Sequence, residues 1–428
     1  IIIRNLLKYQ VYMYKILLKK NIFDKLDLNQ VYQYLIITLA FLMPITVFGA
    51  NLVIVVITLI WLLSGDYKSK FNEIFKSRLM VASIIFFSLH VVGLIWTNDL
   101  SWGLHIIHKM WYFLLLFPIF YTLVQRKYVK FYVLAFLLAI ELSVIISFLI
   151  WFEVIPLTKN LDGVPMLLHA TLTNPIPFMS HISYNPILCI AIYIVFHQIM
   201  FNTSLSLFKR SACSFFALTM TINMFITGGR AGHVMFFAML GILFIQSLMA
   251  KKYKSVILIL ILIPGIFFTA YQTSHSFPTR VDDTISSIIN YSPNSVTALG
   301  NRITYWVNTL ELIQENPIIG VGTGDFPDEY LKIHINNSAT PTTKNPHNMY
   351  LLVQAQLGIF GLISLLSIFY YQIKLSFLST NKFYRDLGIT LPLLFLVAMF
   401  SDSYLLGHFT SLIFIFFSSF LYNNFEET

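Results

Sequence analysis

The chain has 428 residues, of which 57% are hydrophobic and 11% charged, with 40 Phe and a formal net charge of +9. A soluble domain of that length needs a charged surface that this composition cannot supply, so a soluble globular enzyme is excluded. The positive balance does not indicate nucleic acid either, because the basic residues fall in short clusters at the ends of apolar runs, where anionic headgroups account for them.

In chain order, residues 1–30 carry Lys8, Lys15, Lys19, Lys20 and Lys25 among Ile, Leu and Tyr. They read as a basic cytoplasmic segment lying on the membrane, since no small-residue cleavage site follows. Apolar runs of roughly bilayer-spanning length then recur between short polar breaks. They predict an all-α polytopic membrane protein with about 12 transmembrane helices, because helices satisfy their own backbone groups in lipid. The predicted spans are 31–48, 50–64, 79–96, 108–124, 131–152, 181–200, 211–227, 231–249, 255–271, 348–371, 387–402 and 406–421. Nine helices thus occupy 31–271, one large external loop 272–347, and three helices with a short cytoplasmic tail 348–428. With the amino terminus inside, 21 of the 28 Lys and Arg are cytoplasmic, as the positive-inside bias requires. Only Glu141 looks deeply intramembrane, and no internal repeat suggests a two-halved transporter. Cys189 and Cys213 lie in successive spans with no disulfide expected and no metal-ligand spacing, so no metal and no cofactor is expected.

The 272–347 segment carries the densest charge outside the basic clusters, and long loops in compact proteins are usually functional or disordered. Within it "NRITYWVNTLELIQENP" has apolar residues at helical spacing, with Asn301 as a candidate cap and Asn316-Pro317 as a stop. "PIIGVGTGDF" follows as a tight loop on three glycines, without the spacing of a nucleotide-binding fingerprint. Three residues are expected at helix amino termini: Arg230 in "ITGGRAGHVMFF", Arg302 in "GNRITYW" and His347 in "NPHNMYLLVQAQLGIFGL". Unpaired N–H groups at a helix start favour anions, and an arginine adds a planar fork of donors suited to phosphate oxygens. If the three ends converge, they form an anion site at the outer membrane boundary, where a neutral imidazole could take a proton from an attacking hydroxyl while a phosphate leaves. Lys109 at the external end of the fourth span and His181 opening the sixth are weaker candidates. Asp325, Asp328 and Glu329 are alternative bases or loop-solvating groups, and His90, His197 and His233 read as helix packing.

"MSHISYNP" at 179–186, "TGGRAG", an arginine three residues before the Tyr305-Trp306 pair, "NPIIGVGTGDF" and "HNMYLLVQAQLGIFGL" together resemble the O-antigen ligase and polymerase superfamily of polytopic bacterial glycosyltransferases. The resemblance is clearest from about 180 to 370. It implies metal-independent transfer of a glycan from undecaprenyl pyrophosphate to an acceptor hydroxyl, on the periplasmic face of the bacterial inner membrane. It implies catalytic roles for His347, Arg230 and Arg302, with Lys109, His181, Asn348 and Tyr305 binding substrate. The implied partners are the lipid-linked glycan, lipid A-core or another glycan acceptor, and membrane lipids, with no nucleic acid. Ligase is the preferred branch, because one external loop dominates and the proline-rich 153–180 stretch makes a poor second phosphate grip. A polymerase joining lipid-linked repeat units, or a lipid-linked oligosaccharide flippase, is the alternative.

Overall fold

The computed structural model describes residues 27–155, 157, 170–172, 174–274, 277–292, 297–337 and 341–423. Most of the basic amino-terminal segment and half of the 153–180 stretch therefore lie outside the described residues. The described chain is helical throughout, apart from one isolated bridge between Thr171 and Asn174.

A helix stands at each of the twelve predicted spans. They are α1 (Leu28–Leu42), α2 (Val47–Leu63), α4 (Arg78–Val92), α5 with α6 (Leu100–Trp111 and Phe117–Leu123, joined by a π-turn at Tyr112–Leu116) and α7 (Val129–Trp151). After the gap come α8 (His181–Phe201), α9 (Leu207–Ile226), α10 (Arg230–Met249), α11 (Tyr253–Thr273), α15 (Met349–Leu378), α16 (Lys382–Ala398) and α17 (His408–Leu421). Among the described residues six helices are long and apolar enough to cross a bilayer, or seven if α2 and the next helix, α3 (Tyr67–Lys76), form one broken span bent by 115°. Three of the others are simply short. At 1.5 Å per residue, the 15 residues of α1 and of α4 and the 14 of α17 reach only about 21–23 Å, against about 30 Å of hydrocarbon.

Packing explains how so short a helix as α17 is kept. Every residue from Thr410 to Leu421 is buried, so α17 is enclosed by protein and need not meet lipid on any side. Its Phe414 ring packs on Phe113, Phe369 and Phe395, which pins α17 against the π-turn, α15 and α16. By contrast α11 is apolar but only 17% buried over its span window, the signature of a peripheral helix. The basic segment after α2 forms an amphipathic helix, α3, with Lys70 drawn over the Trp61 ring at 4.6 Å and Phe71 and Phe75 left exposed.

Residues 277–337 add three further helices, α12 (Phe277–Ile289), α13 (Ala298–Glu315) and α14 (Phe326–Asn337), which form a cap at one end of the bundle. The cap has its own small core of Tyr305, Leu312, Ile313, Phe326, Tyr330 and Ile333, closed by Leu352 and Ala355 of α15. Its anchor is the glycine loop. Val321 and Gly322 donate backbone hydrogen bonds to the Ala355 and Gln356 carbonyls, and Ile359 donates to Pro317. This docking bends α15 at Gly358, whose φ of 59° and ψ of −154° suit glycine alone, and a Cβ there would stand 2.1 Å from the Ile318 carbonyl. The third glycine turn runs into Asp325, whose buried carboxylate accepts from the Asn98 and Asp99 backbone at 2.8–2.9 Å. Asp325 is thus a clamp between cap and α5, and Glu329 pairs with Lys332 at 2.6 Å.

Candidate active site

The cap closes over the starts of α8, α10 and α15. Arg230 is the first residue of α10, whose cap is Gly229. The "GRAG" pattern has a packing cause: Asn185 of α8 lies so close beneath this turn that a Cβ on Gly232 would stand 2.2 Å from the Asn185 Cβ. Asn185 is held in turn by Thr227 Oγ1 at 3.0 Å. Thr227 ends a polar seam on α9, with Asn223 bonded to Tyr184 and Ser147, and Thr219 bonded to Glu141. These buried hydrogen bonds fix α7, α8 and α9 against one another, and so fix the turn that carries Arg230.

Arg302 stands one turn later than the sequence suggested. Thr297, not Asn301, caps α13 by accepting from Gly300 N, so Arg302 is the fifth helical residue rather than the first. It nevertheless reaches the same place. Arg230, Arg302 and Arg280 of α12 line one cavity of about 190 Å³, together with His181, Gly229 and Tyr404. Arg230 feels Arg280 and Arg302 as repelling charges, and the counter-charge on hand is Asp283, 3.5 Å away and itself mostly exposed. Its Nε is buried with no hydrogen-bond partner among the described residues. Three guanidinium groups held together with a buried unsatisfied donor form a site with a deficit of negative charge, which a bound oxyanion would relieve.

His347 lies beside this cavity. The "NPHN" stretch places it just before α15 in a left-handed conformation with φ 53°, and each neighbour has a structural task. Asn348 caps α15 by accepting from Tyr350 N and Leu351 N. Asn345 Oδ1 accepts from His347 N at 2.9 Å and from Ser403 Oγ, and Trp306 Nε1 donates to the Pro346 carbonyl. The Tyr305 ring stacks on the imidazole at 6.3 Å. The His347 Nδ1 stands 3.2 Å from Asp402 Oδ1, in the loop between α16 and α17, so Nδ1–H donates to the carboxylate and Nε2 is left as the acceptor. Burial alone would raise the Asp402 carboxyl, but the hydrogen bonds from His347 and Ser403 N and the charge of Arg302 outweigh it and hold it below the usual range.

Asp402 and Arg280 are the functional candidates that the sequence reading missed. The apolar pattern places Asp402 at the end of a span, but α16 stops at Ala398 and releases it into the loop. Arg280 had a signal: apart from the 21 Lys and Arg expected on the cytoplasmic side only seven basic residues remain, Lys109, Lys159, Arg230, Arg280, Arg302, Lys332 and Lys344. Of the remaining candidates, His181 opens α8 with Asn174 Nδ2 3.4 Å from its Nδ1. Lys109 lies in the last turn of α5 rather than at a span's outer end, since α5 begins at Leu100 under an Asp99 cap, and it lines a second cavity. His90 and His233 are buried against the Phe86 and Met224 carbonyls, whereas His197 pairs with Asp386.

Residues 215–366 match the family model described as O-antigen ligase, a segment that contains Arg230, Arg280, Arg302 and His347. Over that segment the resemblance to the O-antigen ligase and polymerase superfamily is shown. A protein of Haemophilus influenzae, described only as uncharacterized, is 30% identical over 171 residues, 38% of this chain; the chain spans 42% of that relative's length.

Proposed function

We propose that the chain is an O-antigen ligase that moves a glycan from undecaprenyl pyrophosphate to a sugar hydroxyl of lipid A-core at the periplasmic face of the inner membrane. The observation that carries the reading is the arginine cavity beside the His347–Asp402 pair: an anion grip next to an oriented base, inside the segment that matches the family. In this reading the pyrophosphate rests on Arg230, Arg280 and Arg302. The acceptor hydroxyl loses its proton to His347 Nε2 as its oxygen attacks the anomeric carbon. The bond from that carbon to the pyrophosphate oxygen breaks, and the arginines stabilise undecaprenyl pyrophosphate as it departs. Asp402 holds the imidazole in the required tautomer and offsets the imidazolium charge.

The cap and both cavities lie outside in this reading, with both chain ends in the cytoplasm. Single cysteines at Ser286 of α12 and Ser204 after α8, in a chain with Cys189 and Cys213 replaced by Ser, test this. An impermeant thiol reagent applied to cells with a permeabilised outer membrane should label position 286 and spare 204. The branch of the superfamily is tested by deleting the gene and separating the surface polysaccharide on a gel. A ligase deletion leaves lipid A-core bare while long chains accumulate on undecaprenyl pyrophosphate. One repeat unit still attached to core identifies a polymerase instead.

A further inference from the structure

The seven basic residues outside the clusters expected on the cytoplasmic side are not scattered. Lys159 lies outside the described residues and Lys332 is paired with Glu329. The other five divide between two neighbouring cavities: Arg230, Arg280 and Arg302 in the first, Lys109 and Lys344 in a second of about 260 Å³. Ile182 and Tyr404 belong to both walls, so a single layer of side chains separates the two. The partition is the loop between α16 and α17, with Ser401 facing the arginine side and Asp402 the lysine side.

The lysine cavity has the makings of a second anion grip. Among the described residues neither Lys109 nor Lys344 is in an ion pair, and Lys344 Nζ is held over the Trp102 ring at 4.8 Å. His105, packed on Trp102, feels Lys109, His108 and Lys344 as charges of like sign, so cationic groups converge here from α5 and the stretch before α15. The one carboxylate in the wall, Asp402, is committed to His347 and to Ser403 N at 2.8 Å. A lysine is a point charge that grips phosphate without the planar fork of an arginine, and two of them suit a single phosphate whose orientation is set elsewhere.

We infer that the lysine cavity binds a phosphate carried by the acceptor, so that the protein holds donor and acceptor by separate phosphates on the two sides of the Ser401–Tyr404 partition. The inference rests on the transfer reaction proposed above for the roles of donor and acceptor. It gives the acceptor a chemical class, a phosphorylated glycolipid, and sets its hydroxyl beside the His347–Asp402 pair from the side opposite the departing pyrophosphate. The same phosphate chemistry is available from lipid A-core or from a second lipid-linked glycan, while bulk phospholipid would compete by headgroup charge alone.

The test is binding by the full-length protein in phosphatidylcholine nanodiscs, read apart from transfer. The probes are lipid A-core glycolipid before and after phosphatase treatment, an undecaprenyl-pyrophosphate-linked glycan, and phosphatidylglycerol. Intact glycolipid should bind at least tenfold more tightly than the stripped form. The K109M/K344M variant should erase that difference while donor affinity stays within twofold. Lys344 is exposed, so K344M alone, expected to cost several-fold, covers the case in which the double variant fails to fold. Two lipid-linked glycans bound per chain, one of them lost in K109M/K344M, would uphold the grip and identify the acceptor as the second such glycan. Indifference to phosphatase, equal competition by phosphatidylglycerol, or a parallel loss of donor affinity would each overturn it. Intact binding of both lipids without any transfer would instead remove the ligase reading and leave the second grip standing.

Discussion

Two histidine–aspartate pairs stand at opposite ends of the bundle, His347 with Asp402 under the cap and His197 with Asp386 at the far end, with N···O distances of 3.2 and 3.0 Å. Distance does not separate them; surroundings do. The His197 and Asp386 side chains are 3% and 7% exposed, and Asp386 is also held by Lys382 at 2.6 Å and Arg385 at 3.6 Å. Its charge is neutralised within the packing, where the ring of Phe201 lies 4.6 Å from His197. The His347 side chain is 34% exposed, no lysine or arginine is ion-paired with Asp402 among the described residues, and three guanidinium groups line the adjacent cavity. The same two residue types therefore tie helices together in one place and leave an accessible imidazole in the other, the one we propose as the base.

The largest effect that would break this comparison lies in the histidines. His347→Ala is expected to lower transfer by on the order of 10²- to 10⁴-fold while donor affinity is kept. His197→Ala should leave the rate within a few-fold and show its cost as a lower melting temperature. Equal losses of rate would mean that the two pairs are not different in kind. Next come the arginines: Arg230→Ala or Arg302→Ala should each cost about 2–4 kcal/mol of transition-state stabilisation, read as a fall in kcat, with lysine rescuing only part.

Asp402→Asn and Asp386→Asn then sharpen the contrast. The first should slow transfer with little change in stability, because the amide cannot hold the imidazolium. The second should destabilise by about 1.5 kcal/mol, since it removes the charged acceptor that His197 and Lys382 share, with kcat of the surviving protein unchanged. The smallest effect concerns pH. A carboxyl held below its unfolded value of about 3.9 contributes stability fully above that pH and loses it only as pH falls through the lower folded value. Asp402 therefore stays ionised from pH 5 to 8, and its carboxyl carbon, followed by NMR in aspartate-labelled protein, should show no protonation step across that window.

The chain's class, its helices and three of the site's charged residues could be read from sequence because each rests on local pattern: apolar runs of a given length, an arginine after two glycines, a histidine before an apolar helix. Asp402 could not, because the pairing spans 55 residues and depends on where α16 stops. Pro392 inside that helix did not mark the stop, and the apolar run continues past it. Arg280 was obscured for a related reason. α12 begins "FPTRVDD", where adjacent aspartates suggest local neutralisation, yet Asp282 is taken by the Tyr271 hydroxyl at 2.9 Å and Arg280 points its charge at Arg230 and His181. The number of spans is not fixed by the apolar pattern, because hydropathy does not report whether a 14-residue apolar helix such as α17 faces lipid or is wrapped by its neighbours.

The central claim is that the arginine cavity and His347 carry out glycosyl transfer from a lipid pyrophosphate, and release of that lipid tests it most directly. Purified protein in detergent, where transport has no meaning, is given an undecaprenyl-pyrophosphate-linked glycan and lipid A-core, and free undecaprenyl pyrophosphate is measured over time. The account predicts release that requires the acceptor, matches the glycan gained by lipid A-core one for one, and disappears in Arg302→Ala and His347→Ala. No release by folded wild-type protein that binds both lipids, or release that persists undiminished in both variants, would contradict it.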